Sequence, residues 1–173
     1  MKTHKRLLTW ILVAVLAVMS LALVACVDKP QPVQLTDLTL PQLASNQMAV
    51  IIKNGENDYT CYVVTLGKGG TEAITAEEVL DYLVEAAALE LDCSGSGSEK
   101  FINRIGGINP DPNADDYEYV EIFTSNSAFF ATWAGANEYT VDDVTLNSAG
   151  VGIHDLGVTA GDILYFELSV FAW

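Results

Sequence analysis

The chain has 173 residues, half of them hydrophobic, and sets 23 acidic residues against 8 basic ones for a formal net charge of -15. Once an N-terminal targeting segment is set aside, that length suits one domain of ordinary size. So acidic a surface repels nucleic-acid phosphates and anionic lipid headgroups, which argues against nucleic acid as a partner and leaves cationic or neutral ones.

Residues 1–6 carry Lys2, Lys5 and Arg6 and no acid, and residues 7–25 run without a charge. A basic start followed by an apolar run that ends on small residues is the pattern of a secretory signal. Leu23-Val24-Ala25-Cys26 resembles the bacterial lipobox. The resemblance implies cleavage before Cys26 and a diacylglyceryl thioether on it, a bond that only a thiol supplies. Residues 1–25 then form a lipoprotein signal peptide, and Cys26 is the lipidation site that holds the protein on the outer face of the bacterial cell membrane. Two or more acyl chains give stable anchoring at roughly 0.8 kcal/mol per buried methylene. An uncleaved anchor stays open as an alternative, because the run approaches the ~20 residues that a membrane span needs, and so does plain secretion. All three put the bulk of the chain outside the cytoplasm.

Residues 26–47 hold Pro30, Pro32 and Pro41 among Gln, Thr and Asp, which reads as a flexible tether. Leu38, Leu40 and Leu43 are its candidates for docking on the domain, which is expected over residues 48–173. Two β-branched runs, residues 48–53 and 59–66, flank Asn54-Gly55. Asn-Gly between two such runs predicts a hairpin with a type I′ turn. Residues 75–91 read as a helix. Thr75 and Glu78 form a capping box, with Ile74 and Val79 as a hydrophobic staple. Val79, Leu80, Leu83, Val84, Ala87 and Leu91 share one face, so the helix is expected to pack on one side of a sheet. Ser94-Gly95-Ser96-Gly97-Ser98 reads as a flexible exit.

Residues 101–105 then read as a short strand and residues 109–116 as an acidic loop. From Tyr117 to Thr124 the side chains alternate, with Tyr117, Tyr119, Glu121 and Phe123 on one face. Phe129, Phe130 and Trp133 form an aromatic cluster in the sequence, and residues 139–146 read as a further strand. Residues 158–162 look like a tight turn that feeds a last strand over residues 163–170. A hairpin, a helix, then further strands with one late strand predicts an α+β fold: a β-grasp-like mixed sheet packed on one helix. An α+β sandwich with another strand order is the rival.

Four stretches occur in order: residues 75–83 (TAEEVLDYL), 101–108 (FINRIGGI), 119–123 (YVEIF) and 156–166 (LGVTAGDILYF). Together they resemble the transcobalamin-like C-terminal domain, a β-grasp module of bacterial surface lipoproteins and cobalamin carriers, over residues 48–173. The resemblance implies a β-grasp fold and a small-molecule ligand such as a corrinoid. The family's Trp/Tyr-rich strand and Asn-Gly turn are replaced here by Thr124-Ser125-Asn126-Ser127 and a long stretch from Phe129 to Gly152.

No catalytic, cofactor-binding or metal-binding residues are assigned. There is no Gly-x-Ser-x-Gly elbow. His154 is the one histidine after the signal, too few for a zinc site of ordinary type. Asp111, Asn113 and Asp115 have calcium-loop spacing, but Asp116 replaces the required Gly and Ile122 falls on the bidentate Glu position. Cys61 and Cys93 are a candidate disulfide worth roughly 3–4 kcal/mol, with two buried free thiols as the other reading. Tyr119, Phe123, Phe129, Phe130, Trp133 and Tyr139 are the candidate ligand-facing residues, because aromatics supply large contact area at few rotamers; the other reading makes them core. The sequence thus predicts a non-enzymatic, lipid-anchored extracellular module that binds a small ligand or docks to a surface partner protein. A structural or adhesive display domain is the alternative. A concave aromatic pocket favours the first and a flat aromatic face the second.

Overall fold

A computed structural model describes residues 29–67 and 74–171. The signal segment and Cys26 lie outside these residues. The most apolar run, Met48 to Ile52, is completely buried. Successive side chains of a strand point to opposite faces, so a run buried at every position needs cover on both sides and a neighbour along each edge. That is the place of β2 (Gln47–Gly55). It pairs antiparallel with β3 (Asp58–Thr65) on one edge and parallel with the last strand, β11 (Ile163–Phe171), on the other. β11 pairs antiparallel in turn with β7 (Tyr117–Thr124). With β1 (Val33–Leu35), β8 (Glu138–Val141) and β9 (Val144–Ser148), these make a seven-stranded mixed sheet in the order β1-β3-β2-β11-β7-β9-β8. Two short antiparallel pairs stand apart from it: β4 (Ile74–Thr75) with β10 (Gly157–Val158), and β5 (Leu91–Ser94) with β6 (Phe101–Ile105).

The single described helix, α1 (Ala76–Ala87), covers one face of the sheet. Its Val79, Leu80 and Leu83 join Met48, Val50, Ile52, Leu164 and Phe166 in one cluster. The expected capping box is present. The Glu78 N–H donates to Thr75 Oγ1 at 3.2 Å, and the Thr75 N–H donates to Glu78 Oε2 at 2.8 Å. The helix stops before the expected Leu91 because Ala88 turns left-handed at φ 55°, and the Leu89 N–H closes onto the Leu83 carbonyl at 3.2 Å. Leu91 opens β5 instead, and Val84, expected inside, is exposed.

Three local expectations are corrected. The β2–β3 turn falls on residues 56–57, and Asn54-Gly55 stays inside β2. Asn54 is held there by its side chain, which donates to Thr60 Oγ1 at 2.8 Å and accepts the Gly107 N–H at 2.9 Å. A two-residue hairpin turn with positive φ at both positions does occur, at Asp142 (48°) and Asp143 (65°). It splits the expected strand over residues 139–146 into β8 and β9, since Asp tolerates the left-handed region. Residues 94–98 are no flexible exit but the tight link between β5 and β6, with one 3-10 turn at Gly97–Glu99. Gly95 sits there at φ 76°, where an added Cβ would stand 2.3 Å from the Glu99 carbonyl oxygen.

The face away from α1 carries Ala49, Ile51, Cys61, Phe123, Leu146, Ile163 and Tyr165, covered by Leu35, Leu38, Leu40 and Leu43. The flexible tether expected over residues 26–47 is therefore corrected. β1 pairs antiparallel with β3, Val33 opposite Cys61 and Leu35 opposite Tyr59. Residues from Val33 onward belong to the fold, because a sheet that is apolar on both faces needs a second cover and these leucines supply it. The Cys61–Cys93 bridge is not formed. Cys61 lies in the leucine-covered cluster and Cys93 packs on the helix-side cluster, so the sheet separates two free thiols. Burial pushes the Cys61 thiol up to about 11 and raises that of Cys93 as well.

Removing residues 29–43 is expected to lower stability by about 3 kcal/mol for four partly buried leucines, while the helical circular-dichroism band persists. A chemical-denaturation midpoint unchanged by the truncation would restore the flexible tether.

Candidate functional site

The alternation read in β7 sets the site. Along one face, burial falls from the inner end of the strand to the outer. Phe123 is in the core, with ring centroids 5.2 Å from Tyr139 and 5.4 Å from Tyr165. Glu121 is buried next to it, Tyr119 is half-buried, and Tyr117 is more than half exposed. Tyr117 and Tyr119 stack at 6.2 Å with an interplanar angle of 19°.

Glu121 lies directly opposite Glu167 of β11, and both are buried. Like charges placed so are unfavourable unless donors surround them, and here they do. Glu121 accepts from Ser148 Oγ at 2.6 Å, from Asn137 Nδ2 at 2.9 Å and from Ser169 Oγ. Glu167 accepts from Tyr139 OH at 2.6 Å, Tyr165 OH at 2.9 Å and Lys53 Nζ at 3.2 Å. Burial first and the Glu167 carboxylate second hold the Tyr139 and Tyr165 phenols above the usual range, so both remain donors. Each carboxylate thus takes three hydrogen bonds from the side chains around it.

β9 pairs with β7 only at Phe123 and Thr124, and the Ala149 N–H then closes onto the Ile122 carbonyl at 2.8 Å. Beyond that point a cleft of about 380 Å³ opens, lined by Tyr119, Val120, Glu121 and Ile122 of β7 and walled by Trp133 and Phe101. A second cleft of about 610 Å³ shares Phe101 and Tyr119 and runs on past Tyr117, Glu118, Asp92 and Arg104. Phe101, Tyr117 and Trp133 are each more than half exposed.

The six candidate ligand-facing residues are thus divided. Tyr119 and Trp133 line the clefts. Phe123 is core, and Tyr139 packs against it. Phe129 packs on the helix-side cluster, its ring so close over Gly157 that a Cβ there would meet it at 3.0 Å. Phe130 makes a backbone bridge to Ala149 and is half-buried. Proximity in sequence misled for Phe129 and Phe130, which serve the turn that seats Ala149. Phe101 and Tyr117 were missed. Tyr117 shares the β7 face of Tyr119, and Phe101 is exposed beside the buried Ile102, while a bulge between Ile102 and Arg104 turns Ile105 to the buried side as well.

His154 stands on the surface. Its Nδ1 is 2.6 Å from Glu77 Oε2, and Lys100 Nζ is 2.6 Å from Glu77 Oε1. Neither aromatic cleft includes it. In the acidic loop, Asp111 Oδ1 accepts the Asn113 N–H at 2.9 Å and Glu118 Oε2 accepts the Asp111 N–H at 2.8 Å. Among the described residues no three acidic, His or Cys groups are placed to hold a metal ion, and no helix is long and apolar enough to cross a membrane. No protein-family model and no curated protein matches the chain.

Glu77 is held below the usual carboxylate range, first by the hydrogen bond from Lys100 and then by that from His154. A depressed folded-state value stabilises the fold above the ordinary 4.5 of the unfolded carboxyl, and that stabilisation is lost as the pH falls through the folded-state value. Glu77→Gln is therefore expected to lower the melting temperature at about pH 6 and to converge on the parent protein towards about pH 3. Melting curves showing the same deficit at both pH values would refute the assignment.

Proposed function

We propose that the chain is a non-enzymatic binding module of the β-grasp type, held on the outer face of a bacterial membrane by a lipid on Cys26. It takes its ligand in the cleft between Phe101, Tyr119 and Trp133. The β-grasp reading is supported by the β2–β3 hairpin, the helix that follows it, and the parallel β11 inserted between β2 and β7. The transcobalamin-like resemblance makes a corrinoid the first small molecule to try, and a surface partner protein the second class of ligand.

One observation carries the proposal: large rings stand more than half exposed around a concavity rather than on a flat face. Exposed apolar surface gathered at one place marks an interaction site, and a concave one suits capture better than adhesion. The non-enzymatic reading is supported by carboxylates already engaged by donors and by a histidine outside the clefts.

Titration with cyanocobalamin and with cobinamide is expected to quench tryptophan fluorescence saturably in the parent protein and not in Trp133→Phe, which also corrects for absorption by the corrinoid. Equal quenching in both proteins would remove corrinoids as the ligand. Separately, Cys26→Ser is expected to move the protein from the membrane fraction to the soluble one. Continued sedimentation with membranes would favour an uncleaved anchor.

A further inference from the structure

We infer that the cleft beside Trp133 is a slot for one extended peptide strand added to the edge of β7, and that its occupant is a cationic segment of a partner protein. The inference rests on reading that cleft as a binding site and names the class of ligand. Among the described residues, Tyr117 to Glu121 are paired on one side only, by Leu168 to Phe171 and by Glu167 of β11. On the other side β9 has already departed. Tyr119, Val120, Glu121 and Ile122 are consecutive, so they present side chains to both faces of the sheet, yet all four line one cleft. An opening that touches both faces runs along the strand's edge.

The period of two fixes which backbone groups look into it. Ile122 gives its carbonyl to Ala149 of the β9 line, so the N–H and C=O groups of Val120 point the same way into the slot, and those of Glu118 follow farther out, where the strand borders the adjoining cleft beside β6. Such a row of edge groups is a template for another strand. An incoming strand continues the line that β9 vacates. Trp133 to Gly135 form its outer wall, and the rings of Phe101 and Tyr119 receive alternate side chains.

Charge selects the occupant. The chain carries -15, which disfavours a second copy. Among the described residues the slot is lined by Glu121 and by no cation. The adjoining cleft sets Asp92 and Glu118 against Arg104, which already pairs with Glu90. Lys53 and Lys100 are likewise paired, with Glu167 and Glu77. A strand bearing Lys or Arg meets an unneutralised acidic field.

The test uses the full chain in detergent and three fluorescein-labelled peptides: alternating Val-Lys, alternating Val-Glu, and the Val-Lys peptide N-methylated at every second residue. Anisotropy is expected to show saturable binding of Val-Lys, binding of Val-Glu weaker by about tenfold or more, and loss of binding on N-methylation. Amide exchange at Val120 and Glu118 is expected to slow in the Val-Lys complex. Val120→Pro removes one edge donor but also a side chain of the helix-side core, so Trp133→Ala, which removes the wall without touching β7, is the independent variant; both are expected to weaken binding by about tenfold. Equal binding of the N-methylated peptide, unchanged exchange at Val120, or no binding of Val-Lys would each overturn the inference. If the peptides fail while corrinoids still quench Trp133, the strand slot falls and the ligand cleft stands; if both fail, both fall.

Discussion

The fold depends on the parallel contact between β2 and β11. Ala49, Val50, Ile51 and Ile52 lie in register with Ile163, Leu164, Tyr165 and Phe166, and nearly all of these side chains are fully buried. Parallel neighbours cannot be joined by a tight turn, so everything between them has to cross over and return. α1 is the first part of that crossing and covers one face. β7 then docks on the far edge of β11 along its whole length. Clefts, polar network and aromatic rings all hang from β7, and β7 has its position only because β11 stands where it does. Ordering so long a segment before its ends meet is costly, and the completely buried run on β2 offsets that cost.

Between core and cleft the sheet changes character on one face. Going outward along β7, an aromatic cluster gives way to a paired-carboxylate layer and then to stacked tyrosines. Six donors surround Glu121 and Glu167, drawn from β2, β8, β9, β11 and the segment before β8. A fully satisfied polar layer of this kind fixes geometry more strictly than apolar packing does. It ties Ser148 and Asn137, both lining the smaller cleft, to the β7–β11 pair, so the cleft's floor and its back wall are fixed to the same carboxylate.

What could be read from the sequence was local or periodic. The Thr75–Glu78 capping box, the alternation of β7 and the turn in which Asp162 accepts the Thr159 N–H at 2.7 Å each involve residues a few positions apart. What escaped depended on distant partners. Asn54-Gly55 carries the turn signal, but Gly107, 53 residues away, claims the Asn54 side chain. Phe129 and Phe130 look like companions of Trp133 until β9 and Gly157 divide them. Cys61 and Cys93 share a chain but not a face. Phe101 and Tyr117 gain their meaning only when the β5–β6 pair folds over beside β7, a contact that no spacing in the sequence announces.

The docked segment around β1 has a consequence for reach. Cys26 is followed by only six residues before Val33 enters the sheet, a link that spans at most about 25 Å when fully extended. With the proposed lipid on Cys26, β1 becomes the membrane-proximal margin. β7 lies four strands away in the sheet order, about 19 Å at the usual interstrand spacing. So anchored, the domain would work on a short leash and sample only a thin layer above the bilayer, where partners moored in the same membrane would meet it at a raised effective concentration.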